Sequence, residues 1–512
     1  MEEKLVILDY GSQYTHLIAR RVREQNVYSE VHPPEIAMED IVDFDSVKGI
    51  ILSGGPMSVY DEEAPTVPSW VFECGLPILG ICYGMQAIVH QLGGKVEPGE
   101  AREYGLASLI IEDATETIFS QIPSQSSVWM SHGDKVVKLP PQFKSLAQTD
   151  NTEYCVISSG NQMYGIQFHP EVHHTSYGET FITNFLVQVC KFSQNWDSGR
   201  FIESSMVSLK EQLGASKVVC ALSGGVDSAV TAALLYHAVG DQLKCIFVNN
   251  GLLRLDEENE VREIFRDVLN VDINYLDASK RFIDKLQGVV DPEIKRKTIG
   301  YEFIKCFEEE TDKLGGVEFL AQGTLYPDVI ESVSTVGKAA VIKTHHNVGG
   351  LPENMQLKLV EPLRYLFKDE VRKVGLELGL PPNIIHRQPF PGPGLAIRII
   401  GEITQEKLDI LKLCDRIVTD ELAKSDCYEE IWQGFAVLTD SHTVGVMGDF
   451  RTYGYVCALR VVSSEDAMTA NWVKVPYEVL ETISSRIVNE VSGVNRVVYD
   501  ITNKPPGTIE WE

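Results

Sequence analysis

Pro77-Ile78-Leu79-Gly80-Ile81-Cys82-Tyr83-Gly84-Met85-Gln86 reads as a short apolar strand that stops at a cysteine and passes straight into a helical run. Ile78 to Ile81 is too short for a helix and apolar on both faces, the pattern of a buried strand in a parallel sheet. Glycines on both sides of Cys82 permit a sharp strand-to-helix elbow, and a nucleophile at such an elbow projects past the sheet edge. The start of the following helix points backbone N–H groups at any oxyanion formed there. Working outward, Leu5-Val6-Ile7-Leu8 ends at Asp9-Tyr10-Gly11, and Gly49-Ile50-Ile51-Leu52 ends at Ser53-Gly54-Gly55-Pro56, with helical spacing from Tyr14 to Glu24 between them. Apolar runs separated by helical stretches predict an α/β domain with a mostly parallel sheet. Alternating runs at Ser108 to Ile111 and Tyr164 to Phe168 extend or flank that sheet, and an apolar helix from Thr180 to Cys190 closes the segment.

A cysteine nucleophile needs a base. Gly165-Ile166-Gln167-Phe168-His169-Pro170-Glu171 places a histidine at a strand end with an acid two residues on. His169 can take the thiol proton while Glu171 orients the imidazole and stabilises its charged form. The same stretch permits a metal reading, since His169 and His173 are four apart, but Pro170 interrupts the regular helix that spacing needs. The other cysteines read as small buried hydrophobes.

Residues 191–200 are polar, carry a glycine, and read as a linker. A second α/β pattern follows: a strand at Lys217-Val218-Val219-Cys220-Ala221-Leu222, a turn at Ser223-Gly224-Gly225-Val226-Asp227-Ser228, a helix from Ala229 to Ala238 and a strand from Lys244 to Val248. Successive N–H groups of such a turn, its hydroxyls and the helix start make an anion nest. No Walker-type Gly-x-x-x-x-Gly-Lys-Ser/Thr occurs in the sequence. Another break falls at Leu380-Pro381-Pro382, and Gln388-Pro389-Phe390-Pro391-Gly392-Pro393-Gly394 is turn-rich. Helices near 404–424 and strands near 434–447, 454–462 and 495–502 give the last segment an α+β pattern. The expectation is therefore two mostly parallel α/β domains, 1–192 and 200–386, and a smaller α+β domain, 387–512, without tandem repeats.

The 512 residues carry 45 Lys and Arg against 73 Asp and Glu, a formal charge of −28. So acidic a chain argues against a general nucleic-acid binder, but leaves room for small anionic substrates in locally basic pockets. Hydrophobic content of 44% and charged content of 23% are globular values that exclude a mainly disordered chain. No apolar run reaches the length of a membrane span, Met1-Glu2-Glu3-Lys4 is unlike a signal peptide, and scattered cysteines without a CxxC pair argue against disulfides or a zinc ribbon. The expectation is a reduced, cytoplasmic protein.

The Gly-x-Cys-x-Gly-x-Gln elbow with a downstream His-Pro-Glu, and the Ser-Gly-Gly-Pro turn before it, resemble the class I (triad) glutamine amidotransferases. That resemblance implies that Cys82 attacks the glutamine side-chain amide, with His169 as base, Glu171 as its orienter, and the N–H groups of Gly55 and Tyr83 as the oxyanion hole. Ser-Gly-Gly-x-Asp-Ser resembles the loop of the ATP pyrophosphatase family. It implies that Ser223, Gly224, Gly225, Val226, Asp227 and Ser228 bind ATP, that Asp227 helps hold Mg²⁺, and that Val248 and Gly323 border adenosine. That family leads one to expect Asp at 249, where this chain has Asn249.

Asp291-Pro292-Glu293-Ile294-Lys295-Arg296-Lys297 is a basic patch, Lys343-Thr344-His345-His346-Asn347-Val348-Gly349-Gly350 a phosphate-friendly loop, and Lys504-Pro505-Pro506-Gly507-Thr508-Ile509-Glu510-Trp511-Glu512 a polar tail. From the residues alone, they read equally as a solvated charge run, a surface loop and a tail. Together with Pro389 to Arg398 they resemble the GMP synthase family. That resemblance implies amination of xanthosine 5′-monophosphate (XMP) with nitrogen from glutamine, driven by ATP cleavage. It assigns Arg296, Gln433, Lys504, Ile509 and Glu510 to XMP, Lys343 to the ATP phosphates, and a homodimer to the C-terminal domain. Two alternatives stand beside it. One is another glutamine- or sulfur-dependent adenylating synthetase, such as a tRNA-modifying enzyme; the other is a non-catalytic glutamine or nucleotide sensor.

Overall fold

A computed structural model of the chain describes residues 3–512 apart from 161, 268–270, 328, 330–356, 448–449 and 465–468. Leu5 to Leu8 and Ile50 to Leu52 are wholly buried, as apolar runs must be when helices cover both faces of a parallel sheet. They lie in β1 (Lys4–Leu8) and β3 (Val47–Leu52), beside β2 (Tyr28–His32) and β4 (Ile78–Ile81). Further along are β5 (Lys95–Ile111), β6 (Gln125–Lys138), β7 (Lys144–Gln148), β8 (Val156–Ser158) and β9 (Met163–Ile166). The sheet runs β2-β1-β3-β4-β9-β8-β7-β5-β6. Its first five strands are parallel neighbours and the remainder forms an antiparallel wing, so the alternating runs do extend the sheet.

The register Gly80↔Gly165 and Ile81↔Ile166 sets the ends of β4 and β9 side by side. That pairing puts the cysteine elbow and the His-Pro-Glu stretch at the same edge. The expected helix from Thr180 to Cys190 differs in kind: an α-helix over Gly178–Thr183 continues as a wide π-type turn over Asn184–Val189. Within it the buried Asn184 turns its amide inward, donating to the carbonyls of Ile118 (2.9 Å) and Ser120 (2.8 Å). The expected linker is also shorter, because a helix already begins at Ser198 and runs to Leu213.

A second sheet, β12-β11-β10-β13-β14, is parallel throughout. It comprises β10 (Lys217–Leu222), β11 (Leu243–Asn249), β12 (Ile273–Asp277), β13 (Val317–Ala321) and β14 (Lys358–Val360). A third contains β15 (Gln433–Met447), β16 (Phe450–Ser463), β17 (Asn471–Trp472) and β18 (Val494–Asp500). Helices Gln405–Ala423 and Tyr477–Glu490 belong to the same C-terminal region. One hydrophobic core runs from Val219 and Ile246 through Leu395 and Ala396 to Leu438, Leu459 and Ile487. The turn-rich stretch before Gly394 thus leads into buried chain: Leu395 to Arg398 are wholly buried. The chain divides into two compact units, one spanning residues up to Phe201 with a short piece that begins at Tyr326, the other taking the rest. Among the described residues no helix is long and apolar enough to cross a membrane.

Candidate active site

Cys82 follows β4 with φ +50° and ψ −105°, a conformation most side chains avoid, and the helix Tyr83–Gln91 starts at the next residue. The surroundings hold it there. Cys82 N–H donates to the Ile166 carbonyl of β9 (2.7 Å), Gly84 N–H to the Ser53 carbonyl (3.0 Å), and Gln86 N–H to the Cys82 carbonyl (3.1 Å). A Cβ on Gly80 would lie 2.6 Å from Met85 N, and one on Gly84 would collide with the Leu52 carbonyl. The elbow can close only with glycine on both sides. A Cβ on Gly55 would likewise lie 2.7 Å from the Tyr10 carbonyl and 3.2 Å from Tyr83 Cγ, so the two residues expected to form the oxyanion hole are close neighbours.

His169 Nδ1 stands 2.7 Å from Glu171 Oε1, with both side chains buried. The backbone around the histidine is pinned as well: its N–H donates to the Trp129 carbonyl (3.0 Å) and its carbonyl accepts from Thr175 Oγ1 (2.6 Å). Burial lowers the imidazole's proton affinity, but the Glu171 carboxylate and the Cys82 sulfur outweigh it and push His169 up to about 11. The Glu171 carboxylate and the neighbouring sulfur thus favour the charged form of the imidazole. The sequence reading missed Gln167, whose Nε2 is 3.6 Å from Cys82 Sγ.

In the second unit the Ser223–Ser228 turn joins β10 to the helix Val226–Val239. Gly224 has φ +77°, a left-handed position that favours glycine. Ser223 and Ser228 face each other, Oγ to Oγ at 3.2 Å, and Ser228 Oγ donates to the Gly225 carbonyl (3.0 Å). Gly323 backs this turn, since a Cβ there would lie 3.1 Å from the Asp227 carbonyl. Val248 is buried in the core, which leaves its backbone as the part able to meet a ligand. Asn249 is committed to protein groups: its Nδ2 donates to Glu258 and to Tyr275 Oη (3.2 Å), and its Oδ1 accepts from Gly251 N–H (2.8 Å). Lys343 lies outside the described residues.

Two cations that the sequence reading did not name reach this turn. Lys368 Nζ is 2.6 Å from both carboxylate oxygens of Asp227. Arg387 donates to the Gly224 carbonyl (2.9 Å) and pairs with Glu257 (2.6 Å). Among the described residues no group of three or more His, Cys, Asp or Glu could cage a metal ion. Asp227 offers a single carboxylate in the first turn of a helix, which fits the way Mg²⁺ binds when phosphates and water complete its shell.

The tail brings some of its expected residues together. Glu510 takes a two-pronged ion pair from the wholly buried Arg398 (3.1 and 2.8 Å), and Gln433 Nε2 donates to the same carboxylate (3.0 Å). Ile509 packs against Phe435, Val437 and Ala458. Lys504 bridges by backbone to Ala470, N–H to carbonyl at 2.8 Å. Arg296 donates to the Glu512 carbonyl, two residues beyond Glu510. The basic patch turns out to be the start of a helix, Pro292–Leu314, capped by Asp291 accepting from Ile294 N–H (2.9 Å). Lys295 within it is buried, donating to the Ile399 carbonyl (2.7 Å) and pairing with Glu512. That lysine belongs to the packed interior, where a solvated charge run had been one reading.

Comparison with known proteins covers three stretches of the chain. Residues 6–189 match the family model of class-I glutamine amidotransferases, residues 216–291 that of the tRNA methyl transferase HUP domain, and residues 420–511 that of the GMP synthase C-terminal domain. A class-I glutamine amidotransferase region carried on one chain with a HUP-type region defines a glutamine-dependent ligase. The chain is 58% identical over 513 residues to the glutamine-hydrolysing GMP synthase of Dehalococcoides mccartyi, covering 100% of this chain and 96% of that one. It is 57% identical over 511 residues to the enzyme of the same name from Brachyspira hyodysenteriae, covering 100% and 99%. This chain belongs to the family of glutamine-hydrolysing GMP synthases.

Proposed function

We propose that the chain converts XMP to GMP with nitrogen from glutamine, splitting ATP to AMP and pyrophosphate through an adenylyl-XMP intermediate. The observation that carries this reading is the Cys82–His169–Glu171 constellation, assembled at one sheet edge in a unit separate from the anion-binding turn. The Cys82 sulfur, as thiolate, attacks the side-chain carbonyl carbon of glutamine, and the N–H groups of Gly55 and Tyr83 receive the oxyanion. His169 gives its proton to the departing nitrogen, the C–N bond breaks, and ammonia leaves a thioester. Water then gives a proton to His169 and attacks the thioester; the C–S bond breaks and the thiolate returns as glutamate departs.

In the second unit, O2 of XMP attacks the α-phosphorus of ATP, and the N–H groups and hydroxyls of residues 223–228 hold the departing pyrophosphate. Mg²⁺ held through Asp227 would neutralise charge on that leaving group. Ammonia adds to the adenylated carbon and AMP leaves. Gln433 and Glu510 suit the base edge, because Arg398 and Gln433 hold the Glu510 carboxylate in a fixed direction. Lys504 supplies the charge for the XMP phosphate, Arg296 and Ile509 border the nucleotide, and Val248, Gly323 and Lys343 serve ATP. The functional domains are 1–192, 200–386 and 387–512.

A cytoplasmic homodimer through the last of these completes the proposal. It is supported by cysteines that are all free and by Val444, Val446, Phe450 and Tyr453, which are 50%, 74%, 77% and 70% exposed along the β15–β16 ribbon. Incubation with XMP, ATP, Mg²⁺ and glutamine should yield GMP, AMP and pyrophosphate in equal amounts. ATP turnover without GMP would overturn the reading.

A further inference from the structure

Gln167 precedes His169 by two residues and is wholly buried just past the end of β9. Its amide lies between two partners: Nε2 is 3.6 Å from Cys82 Sγ, and Oε1 accepts from Gln86 Nε2 at 3.2 Å. Shape alone does not distinguish the two ends of an amide, so the bonding network has to. Gln86 Nε2 also meets the backbone carbonyl of Asp134 at 2.9 Å. A carbonyl only accepts, so that end of Gln86 must be its NH₂ group. The Gln167 atom facing it is then the oxygen, and the Gln167 NH₂ group faces the sulfur.

We propose that Gln167 is a further catalytic residue of the glutaminase reaction, a fixed N–H donor to the Cys82 sulfur whenever that sulfur carries negative charge. The inference rests on the triad reading above. The sulfur is anionic twice in the cycle: before it attacks glutamine, and again when the C–S bond of the thioester breaks and its electron pair returns to sulfur. A donor held in place by Gln86 stabilises both states without reorganising. The Ser131 carbonyl, 4.0 Å from the sulfur, can only accept, and so serves the protonated thiol. The titratable groups on the elements around the sulfur include His169, paired with Glu171 and edged by Tyr14, Tyr83 on the helix that follows, His132 and Asp134 on β6, and Glu103 paired to His132.

The test is alkylation of Cys82 in the full chain by iodoacetamide, followed peptide by peptide by mass spectrometry across pH. Two variants remove the donor: Gln167→Met, of similar length, and Gln167→Glu, of similar shape but acidic. The midpoint of the alkylation profile should move to higher pH in both, further in Gln167→Glu. The rate on the low-pH limb should fall roughly tenfold or more, as expected for a lost bond to a charged group. For glutamine hydrolysis kcat should fall more than KM rises. A residue that merely packs would alter thermal stability and leave the midpoint where it was. A wild-type midpoint in either folded variant overturns the proposal. Retained glutaminase in Cys82→Ala would instead overturn the triad reading on which it rests.

Discussion

The glutaminase elbow and the nucleotide-binding turn are both strand-to-helix turns rich in glycine, yet they are held in different ways. At the elbow, each functional side chain is fixed by residues next to it in sequence or on the adjacent strand: His169 by Glu171 at 2.7 Å, and the Cys82 backbone by Ile166 of β9 at 2.7 Å. At the nucleotide turn the charges are balanced by residues far along the chain. Lys368 binds Asp227 from 141 residues away, and Arg387 binds the Gly224 carbonyl from 163 away. In the tail, Arg398 holds Glu510 across 112 residues. At the first site, His169 and the Cys82 backbone are already held by the chain itself. At the second, the protein's own ion pairs fill these positions, and under the proposed function anionic substrates would have to displace them.

The sharpest break in that comparison is Asp227→Asn. It should abolish GMP synthesis from glutamine and from added ammonium salts alike, because adenylation precedes both. Pyrophosphate release from ATP and XMP without a nitrogen source should vanish in the same variant. Normal release would remove Asp227 from the metal or phosphate role. Next comes Cys82→Ala, which should abolish glutamine-driven synthesis and spare synthesis from ammonium salts, since the elbow's only product for the second reaction is ammonia. Equal loss with both donors would mean that the two sites are not chemically separable.

The same contrast explains what could be read from the sequence. The elbow, its partner stretch and the nucleotide turn were legible because strand, turn and helix start are local, and each carries its chemistry within a few residues. Gln167 lay inside a quoted stretch, yet a glutamine next to Phe168 looks like strand filling until the register of β4 and β9 brings it to the sulfur. Lys368 and Arg387 had no local signal, since their partners Asp227 and Gly224 lie 141 and 163 residues away; Arg398 ended a quoted stretch, but its partner Glu510 is 112 residues on. Lys295 was misleading: three basic residues in a row look solvated, but a helix turns one of them inward. Asn184 likewise interrupts an apolar run, where the helix continues only as a π-type turn.

A smaller effect is expected at the tail. Lys504 offers one compact charge, and a phosphate monoester is mostly dianionic at neutral pH. A charge-assisted bond contributes about 1.5–3 kcal/mol, so Lys504→Ala should weaken XMP binding roughly ten- to more than a hundredfold. ATP affinity without XMP should change little. An unchanged XMP affinity by titration would return the tail to a structural role.

The smallest effect is expected at Asn249, where the chain departs from the aspartate that the nucleotide fold led one to expect. Asn249 can stand between Glu258 and the Gly251 N–H because an amide both donates and accepts. Aspartate keeps the acceptor for Gly251 but loses the donor and sets a second carboxylate against Glu258. Both side chains are partly exposed, so water offsets much of the repulsion. Asn249→Asp should therefore lower unfolding free energy by about 1 kcal/mol at neutral pH. The loss should shrink as pH falls, because protonating one carboxylate of the pair restores a donor between them. Denaturant titrations of the two proteins at neutral and mildly acidic pH measure the difference. A stability gap that does not narrow on acidification would show that Asn249 is held by Tyr275 and Gly251, with Glu258 no part of the balance.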